Sequence, residues 1–475
     1  MNGPLRKVSI FVALMMAALL VNITWISVVR TDSLNEDPRN RRVRDAEFAS
    51  DRGAILVGNT PIAITNPSEG RFPFARTYPE GSTWSSVTGW YSYDYARSEL
   101  EKQYNEELSG TGSIQAVSRI IDLLVGRNRQ GANLSTTLNP AAQAAAVRAL
   151  GDKQGAAIAM NWETGEILAL VSAPTYDPNR LSTLDLSAGR DAWSSLLDAP
   201  NEPLKNRAVR EVFPPGSTFK LVTAAAALDS GMVPSTELDA PQSLPLPNSN
   251  RTMGNSTNCG GTTVTLEQAL ITSCNTAFGN LGLQLGGEQL RAMAEAFGFN
   301  AKSTIDMPAA ESRFPSEIDQ AQTALSAIGQ FDVAASPLQM VQVAAAIAND
   351  GHMMQPYVVR TVTGADLKVI RSTEPHELGR PLSEANAKLM QQMMESVVSD
   401  GTGRPARIDG MTIGGKTGTA QSDPDRPPYA WFVGYAQDPK VAVVAFVQSA
   451  DVERDDISGG RVAAPIFKAI LEALQ

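Results

Sequence analysis

The sequence predicts an α+β fold, in which one central, mostly antiparallel sheet is flanked by helices. A small N-terminal domain and a single transmembrane helix precede it. Strand-like segments lie at both ends of residues 138–475, around a middle with helical patterns, and this arrangement indicates an α+β domain. A polar segment ends near residue 137 and marks the domain boundary. An uncharged apolar run from Val8 to Val29 predicts the membrane helix.

Composition excludes several classes of function. The chain has 475 residues with 50 acidic and 40 basic side chains, a net charge of −10, whereas nucleic-acid binders carry a basic face. We therefore expect no nucleic-acid partner. The two histidines, His352 and His376, are far apart, and no Cys/His metal-ligand spacing occurs. No GxSxG elbow, Walker loop or Rossmann glycine motif is present, so we expect neither a metal nor a cofactor.

The apolar run from Val8 to Val29 is long enough to remain as an anchor. As a helix it would extend ~33 Å, sufficient to cross a hydrocarbon core. A cleaved signal peptide is the alternative, but the run is long and no A-x-A site follows it. Arg6 and Lys7 favour a cytoplasmic tail at residues 1–7, whereas arginines after the run favour the opposite orientation. Charge alone leaves the orientation open.

Residues 30–137 predict the smaller domain. The segment from Gly53 to Thr65 predicts a β-hairpin around Gly58-Asn59. Helical patterns follow at Arg97–Leu108 and Ile114–Val125, and residues 126–137 predict a polar linker.

Residues 138–475 predict the larger domain. A helix should end at Gly151, and strands should follow at 155–160 and 167–173. Residues 214–394 are mostly helical in pattern. Strands should return at 411–418, 429–436 and 440–448, before a last helix at 461–474.

Ser217 and Lys220 are the first candidates for chemistry. Pro214, Pro215 and Gly216 precede them, which predicts that Ser217 lies in the first turn of a helix. The i, i+3 spacing places both side chains on one helix face. A lysine in apolar surroundings can lose its charge and accept the serine proton. Alone, however, the pair could be an ordinary helix start.

A second candidate is the strand-like segment from Lys416 to Thr419, which follows Gly414 and Gly415. Glycines in a strand indicate the close approach of another backbone or of a ligand. A lysine and two hydroxyls there could hold a carboxylate while a peptide adds as a strand. A tight turn with a solvated lysine is the equally good alternative.

The Ser-x-Asn pattern occurs three times, at 33–35, 256–258 and 273–275. The first adjoins the membrane helix and the second lies in a polar loop. We prefer Ser273-Cys274-Asn275, because it lies in the helical middle.

Together, the three motifs in this order resemble those of penicillin-binding transpeptidases. Further segments resemble blocks of the class B group, and the chain is similar to a short actinobacterial type within that group. These segments are DRGAI (51–55), TGEILALVSAPTYDPN (164–179), NRAVREVFPPGSTFK (206–220), GTG (401–403), GGKTGTA (414–420) and AWFVG (430–434). The resemblance implies a penicillin-binding-protein/serine β-lactamase-like transpeptidase domain at 138–475. It also implies a pedestal domain of the dimerisation type at 30–137.

The resemblance also implies the catalytic roles. Ser217 would be the acylated nucleophile, Lys220 its general base, and Ser273 the relay of a proton to the leaving group. The backbone N–H groups of Ser217 and Thr419 would form the oxyanion hole. Asn275 would bind the substrate amide. A D-Ala-D-Ala stem peptide would acylate the serine and release D-alanine, and β-lactams would acylate the same serine.

By the same resemblance, the segment Lys416, Thr417, Gly418 and Thr419 would bind the substrate, with Lys416 and Thr417 anchoring its terminal carboxylate. Such substrates lie outside the cytoplasmic membrane, so the N-terminus would be cytoplasmic and the enzyme extracytoplasmic. A membrane glycosyltransferase and other wall-synthesis proteins would be its partners.

Two alternatives share part of this reading. A D,D-carboxypeptidase would use the same site with water as acceptor, and a non-catalytic cell-wall scaffold would not need these motifs intact. A bifunctional enzyme with a glycosyltransferase domain is disfavoured, because the region before residue 138 is too short for that domain. A β-lactamase is disfavoured because no ExxLN-type segment supplies a deacylating glutamate.

Cys259 and Cys274 are the only cysteines and would lie on the oxidising side of the membrane. We hypothesise a disulfide that ties the loop around residue 259 to the Ser273 motif. The alternative is two buried free thiols.

Overall fold

The computed structural model describes residues 2–35, 40–112, 130–420 and 426–475. Its α-helices are α1 Asn2–Val29, α2 Thr31–Asn35, α3 Arg41–Phe48, α4 Gly81–Thr88, α5 Glu99–Gln103, α6 Asn105–Ser109, α7 Pro140–Leu150, α8 Leu186–Leu197, α9 Lys220–Asp229, α10 Leu266–Ile271, α11 Asn275–Leu285, α12 Gly287–Ala296, α13 Gln320–Ser326, α14 Pro337–Ala348, α15 Glu384–Ser399 and α16 Ala464–Glu472.

The strands form one six-stranded sheet, one five-stranded sheet and several two-stranded pairs. They are β1 Ile55–Val57, β2 Thr60–Pro67, β3 Phe74–Thr77, β4 Asn133–Thr136, β5 Gln154–Asn161, β6 Ile167–Ala173, β7 Glu237–Asp239, β8 Ser243–Pro245, β9 Thr252–Gly254, β10 Thr263–Thr265, β11 Met353–Met354, β12 Val359–Thr363, β13 Val369–Ser372, β14 Glu377–Gly379, β15 Ile413–Ala420, β16 Tyr429–Ala436 and β17 Val441–Ser449.

Helix α1 contains the segment predicted to cross a membrane. From Gly3 to Val29 it is long and apolar enough to do so, and the side chains of this segment are exposed. Exposing the apolar surface of a helix of this length to water is unfavourable, so α1 fits a membrane anchor.

The six-stranded sheet runs in the order β13-β12-β4-β1-β2-β3. The predicted hairpin is confirmed as β1–β2, in which Val57 pairs with Thr60 across Gly58, whose φ is +58°. The prediction of a linker at 126–137 was wrong for its last part. Asn133–Thr136 forms β4, which pairs in parallel with β1 and antiparallel with β12. Both partner strands come from distant parts of the chain.

The helices of the N-terminal region also differ from expectation. The helix predicted at 97–108 is divided into α5 and α6, which meet at Tyr104. The helix predicted at 114–125 lies outside the described residues. Glu101, on α5, is fully buried and accepts hydrogen bonds from Nε of Arg52 at 2.6 Å and Nε of Arg76 at 2.7 Å. This buried group of charges holds α5 against the sheet.

The five-stranded sheet has the order β15-β16-β17-β5-β6, and every neighbouring pair is antiparallel, as predicted. Because successive side chains of a strand point to opposite faces, β17 contributes to two cores. Val444 and Phe446 belong to the core that includes α14, whereas Val443 and Ala445 belong to the core that includes α7 and α16. The sheet is therefore buried on both faces, and β15 forms its edge.

The middle of the chain is mostly helical, as predicted, and, like α14, whose residues are all buried, α9 is a deeply buried helix. All of its residues from Lys220 to Leu228 are buried. The short pairs β7–β10 and β8–β9 were not predicted. The last helix begins at Ala464 rather than near residue 461, after a π-helical turn at Gly459–Ala463.

Candidate active site

The predicted nucleophile lies on one tight turn. Gly216–Phe219 forms a single 3₁₀ turn that continues directly into α9, so Ser217 and Lys220 share one helix face, as their spacing predicted. Ser217 is half-buried and Lys220 fully buried. The turn requires glycine at 216, where φ is +53° and a Cβ atom would lie within 3.0 Å of Ala420 on β15.

The amine of Lys220 is held by a neighbouring turn. Its Nζ donates to the carbonyl oxygen of Ser273 at 2.8 Å and to Oδ1 of Asn275 at 2.7 Å, and lies 3.3 Å from Oγ of Ser273. Burial lowers the pKa of Lys220 well below its ordinary value, and the nearby charge of Lys416 lowers it further. A neutral amine that uses two hydrogens on these oxygens keeps its lone pair, so it can accept a proton.

Ser273 occupies a strained position between α10 and α11. Its φ is +57°, a left-handed conformation that non-glycine residues rarely adopt. The next residue, Cys274, is joined to Cys259 by a disulfide with a Cα–Cα distance of 5.2 Å. Oδ1 of Asn255 accepts the backbone N–H of Asn275 at 2.8 Å and so caps α11. The disulfide and the cap hold the turn from both sides.

The second lysine reaches the same hydroxyl from β15. Nζ of Lys416 donates to Oγ of Ser273 at 2.8 Å and to the carbonyl oxygen of Thr417 at 2.9 Å. Lys416 is fully buried, which excludes the solvated turn considered from the sequence and lowers its pKa to about 7. Lys220 and Lys416 therefore flank one serine hydroxyl, with neither lysine paired to a carboxylate among the described residues.

The rest of the motif lies against the nucleophile turn. A Cβ atom on Gly418 would lie 2.8 Å from Cγ2 of Thr218, so glycine allows β15 to approach this turn. The backbone N–H groups of Ser217 and Thr419 belong to these two adjoining elements. Thr417 is nearly buried, whereas Thr419 is exposed at the sheet edge.

The glycines before Lys416 serve a different purpose from that expected. A Cβ atom on Gly414 would lie 2.4 Å from the ring of Tyr435, and one on Gly415 would lie 2.7 Å from the ring of Phe432. Aromatic side chains of β16, rather than a ligand, therefore occupy the space beside these glycines.

The structure thus brings all the predicted site residues into one region. The alternative Ser-x-Asn segment at 256–258 borders this region, where the hydroxyl of Thr257 donates to the carbonyl oxygen of Thr272 at 2.6 Å. Two contributors were missed. Asn255 had no sequence signal beyond its polar loop, and Thr402, whose hydroxyl lies 2.7 Å from that of Thr417, stood within the GTG segment that the resemblance had already marked.

Comparisons with known families agree with this geometry. Residues 155–472 match the penicillin-binding protein transpeptidase domain. Residues 52–134 match the dimerisation domain of penicillin-binding protein A. The first match covers the five-stranded sheet together with β12 and β13, and the second covers β1, β2 and β3 of the six-stranded sheet.

Whole proteins are similar as well. The chain is 42% identical to the peptidoglycan D,D-transpeptidase PbpA of Mycolicibacterium smegmatis, over 100% of this chain and 99% of that protein. It is 39% identical to PbpA of Mycobacterium tuberculosis H37Rv, with the same coverage. The ceftriaxone acyl-enzyme complex of M. tuberculosis penicillin-binding protein A aligns with a TM-score of 0.86 at 38% identity, over 91% of this chain and 100% of that one. This chain belongs to the penicillin-binding transpeptidase family.

Proposed function

We propose that the protein is a membrane-anchored serine D,D-transpeptidase, which cross-links peptidoglycan stem peptides through an acyl-enzyme on Ser217. The observation that carries this proposal is the fully buried amine of Lys220, whose pKa is lowered by burial, on the helical turn that carries Ser217. The names of the similar mycobacterial proteins and their acyl-enzyme structures support the same reaction class.

In the acylation step, Oγ of Ser217 attacks the carbonyl carbon of the penultimate D-alanine. The amine of Lys220 accepts the hydroxyl proton, and the N–H groups of Ser217 and Thr419 stabilise the developing oxyanion. The proton then passes from Lys220 through the hydroxyl of Ser273 to the leaving nitrogen. The peptide bond breaks, D-alanine leaves, and the donor remains as an ester of Ser217.

In the second step, the amine of an acceptor stem peptide attacks this ester. A proton from the amine returns through Lys220 to Oγ of Ser217 as the ester bond breaks, which regenerates the hydroxyl and leaves a new amide cross-link. A β-lactam acylates Ser217 in the same way, but its opened ring keeps the leaving nitrogen attached to the acyl group.

The remaining motif residues hold the donor. Lys416, Thr417 and Thr419 would bind its terminal carboxylate beside the free edge of β15, along which the peptide adds as a strand. Asn275 donates one Nδ2 hydrogen to the carbonyl oxygen of Gly254 at 3.0 Å, and its other Nδ2 hydrogen would bind a substrate carbonyl.

The topology follows from the substrate. Residues 1–7 would be cytoplasmic, Val8–Val29 would span the membrane, residues 30–137 would form the pedestal, and residues 138–475 would act outside. The anchor and pedestal would contact a membrane glycosyltransferase and other wall-synthesis proteins. Copurification of the glycosyltransferase with the full chain, but not with a chain lacking residues 1–137, would support this placement. Retention after the deletion would contradict it.

Labelling with a fluorescent penicillin tests the nucleophile. Wild type should be labelled, Ser217→Ala should not, and Ser230→Ala, an exposed serine beyond the end of α9, should be labelled like wild type. A folded wild type that resists labelling would contradict the proposal and favour a scaffold. Products from a stem-peptide donor and acceptor then separate two reactions: cross-linked dimers indicate a transpeptidase, and trimmed monomers alone indicate a D,D-carboxypeptidase.

A further inference from the structure

Thr402 connects two parts of the active site that are distant in sequence. Its backbone N–H donates to the carbonyl oxygen of Ile271 at 3.3 Å, two residues before Ser273, and its hydroxyl lies 2.7 Å from that of Thr417 on β15. The segment is closely packed, because a Cβ atom on Gly401 would lie 2.5 Å from the oxygen of Ile271. A Cβ atom on Gly460 would lie 3.2 Å from the oxygen of Thr402.

The two hydroxyls constrain each other, since each has a single proton to donate. If Thr417 donates to Thr402, its proton is unavailable to a ligand. If Thr402 donates to Thr417, the proton of Thr417 is free. Within the described residues, the hydroxyl of Thr402 has no other hydrogen-bond partner. Its proton is therefore available to Thr417.

We propose that Thr402 is a positioning residue that makes the site selective for donors with a terminal carboxylate. This proposal rests on the function proposed above. When the anionic carboxylate arrives, Thr402 donates to Thr417, and Thr417 donates to the carboxylate. In a chain of hydrogen bonds that ends on an anion, each hydroxyl donates toward the anion, and each bond polarises and strengthens the next.

Thr402 touches neither the nucleophile nor the leaving nitrogen in this scheme, so its effect depends on the charge of the donor. Substitution by valine keeps the shape of threonine and removes the hydroxyl. Substitution by serine keeps the hydroxyl and removes the methyl group. These two changes separate the hydrogen bond from the packing of the segment.

The test uses the full-length protein and two acyl-D-alanyl thioester donors, one whose leaving group ends in a carboxylate and one with a primary amide in its place. For Thr402→Val we expect kcat/KM to fall about tenfold with the carboxylate donor, about the size of one hydrogen bond between uncharged groups. With the amide donor it should change by less than about twofold. Thr402→Ser should restore most of the loss. Thr412→Val, the same change at an exposed position before β15, is the matched control.

An equal fall with both donors, or no rescue by serine, would show that Thr402 acts through packing and would overturn the proposal. Unchanged kinetics with the carboxylate donor would also overturn it. If wild type turns over neither donor, the proposed function itself fails, which is a separate result from any difference between the variants. Thermal unfolding of each variant identifies a loss that comes from misfolding.

Discussion

The disulfide beside Ser273 gives a prediction with a calculable size. Cys259 and Cys274 are 15 positions apart, and a closed loop of this length restricts the unfolded chain by ~3 kcal/mol in chain-entropy terms. Replacing both cysteines by serine should remove this stabilisation from the loop and from the turn that follows it. Local openings in the rest of the chain should be unaffected.

Hydrogen exchange measures the effect locally. In the double variant, amides of residues 255–275 that open with the loop should exchange about a hundredfold faster, since ~3 kcal/mol corresponds to a factor of about 150. Amides of β16 and β17 that exchange by local fluctuations of the sheet should keep the exchange rates of wild type and serve as the internal control.

The same variant should also lose activity, because the left-handed conformation of Ser273 is held partly by the disulfide. The cap from Asn255 remains, so we expect penicillin acylation to slow by about tenfold rather than to stop. Unchanged exchange across residues 255–275 would refute the reasoning about the loop. Faster exchange with unchanged acylation would show that the disulfide stabilises the loop without positioning Ser273.

Two further predictions concern buried charges. Burial lowers the pKa of Lys416 to about 7, so its cation is lost as the pH rises through about 7, and acylation by an anionic penicillin should slow there. In Lys416→Arg the cation persists, so this decline should disappear. Acylation rates measured from about pH 5.5 to about pH 9 test this. A decline that remains in the arginine variant would contradict the assignment to Lys416. Glu101→Gln should destabilise the N-terminal domain by about 3–5 kcal/mol in denaturant unfolding, because it leaves two buried arginines without a counter-charge. Glu106→Gln, at an exposed position nearby, should change little, and an equally small effect at Glu101 would refute this reasoning.

Much of the large domain could be predicted because its strands are long and apolar. The sheet of β5, β6, β15, β16 and β17 follows from such runs, and antiparallel order follows from strands on both sides of the helical middle. Strand β4 could not be predicted. It has four residues in a polar segment, and its partners β1 and β12 lie far away in sequence, so only tertiary contacts identify it.

The active site, too, could be predicted from the sequence only in part. Ser217 and Lys220 are three positions apart, so helix geometry alone places them together. The contacts of Lys220 with the Ser273 turn and of Thr402 with Thr417 join positions that are far apart in sequence. The resemblance marks the GTG segment around Thr402, but nothing in the sequence indicates that its hydroxyl meets that of Thr417.

The shared six-stranded sheet has a mechanical consequence. Strands β12 and β13 come from the same region as the catalytic motifs, yet they complete the sheet of the N-terminal domain through β4. The carboxylate of Asp306 reinforces the joint by accepting the N–H groups of Val358 and Val359 and the hydroxyl of Tyr104. A hinge motion at this joint would break the hydrogen bonds between β4 and β12, so the two domains move together as one rigid unit. A protein that binds the N-terminal domain therefore also fixes the orientation of the catalytic site.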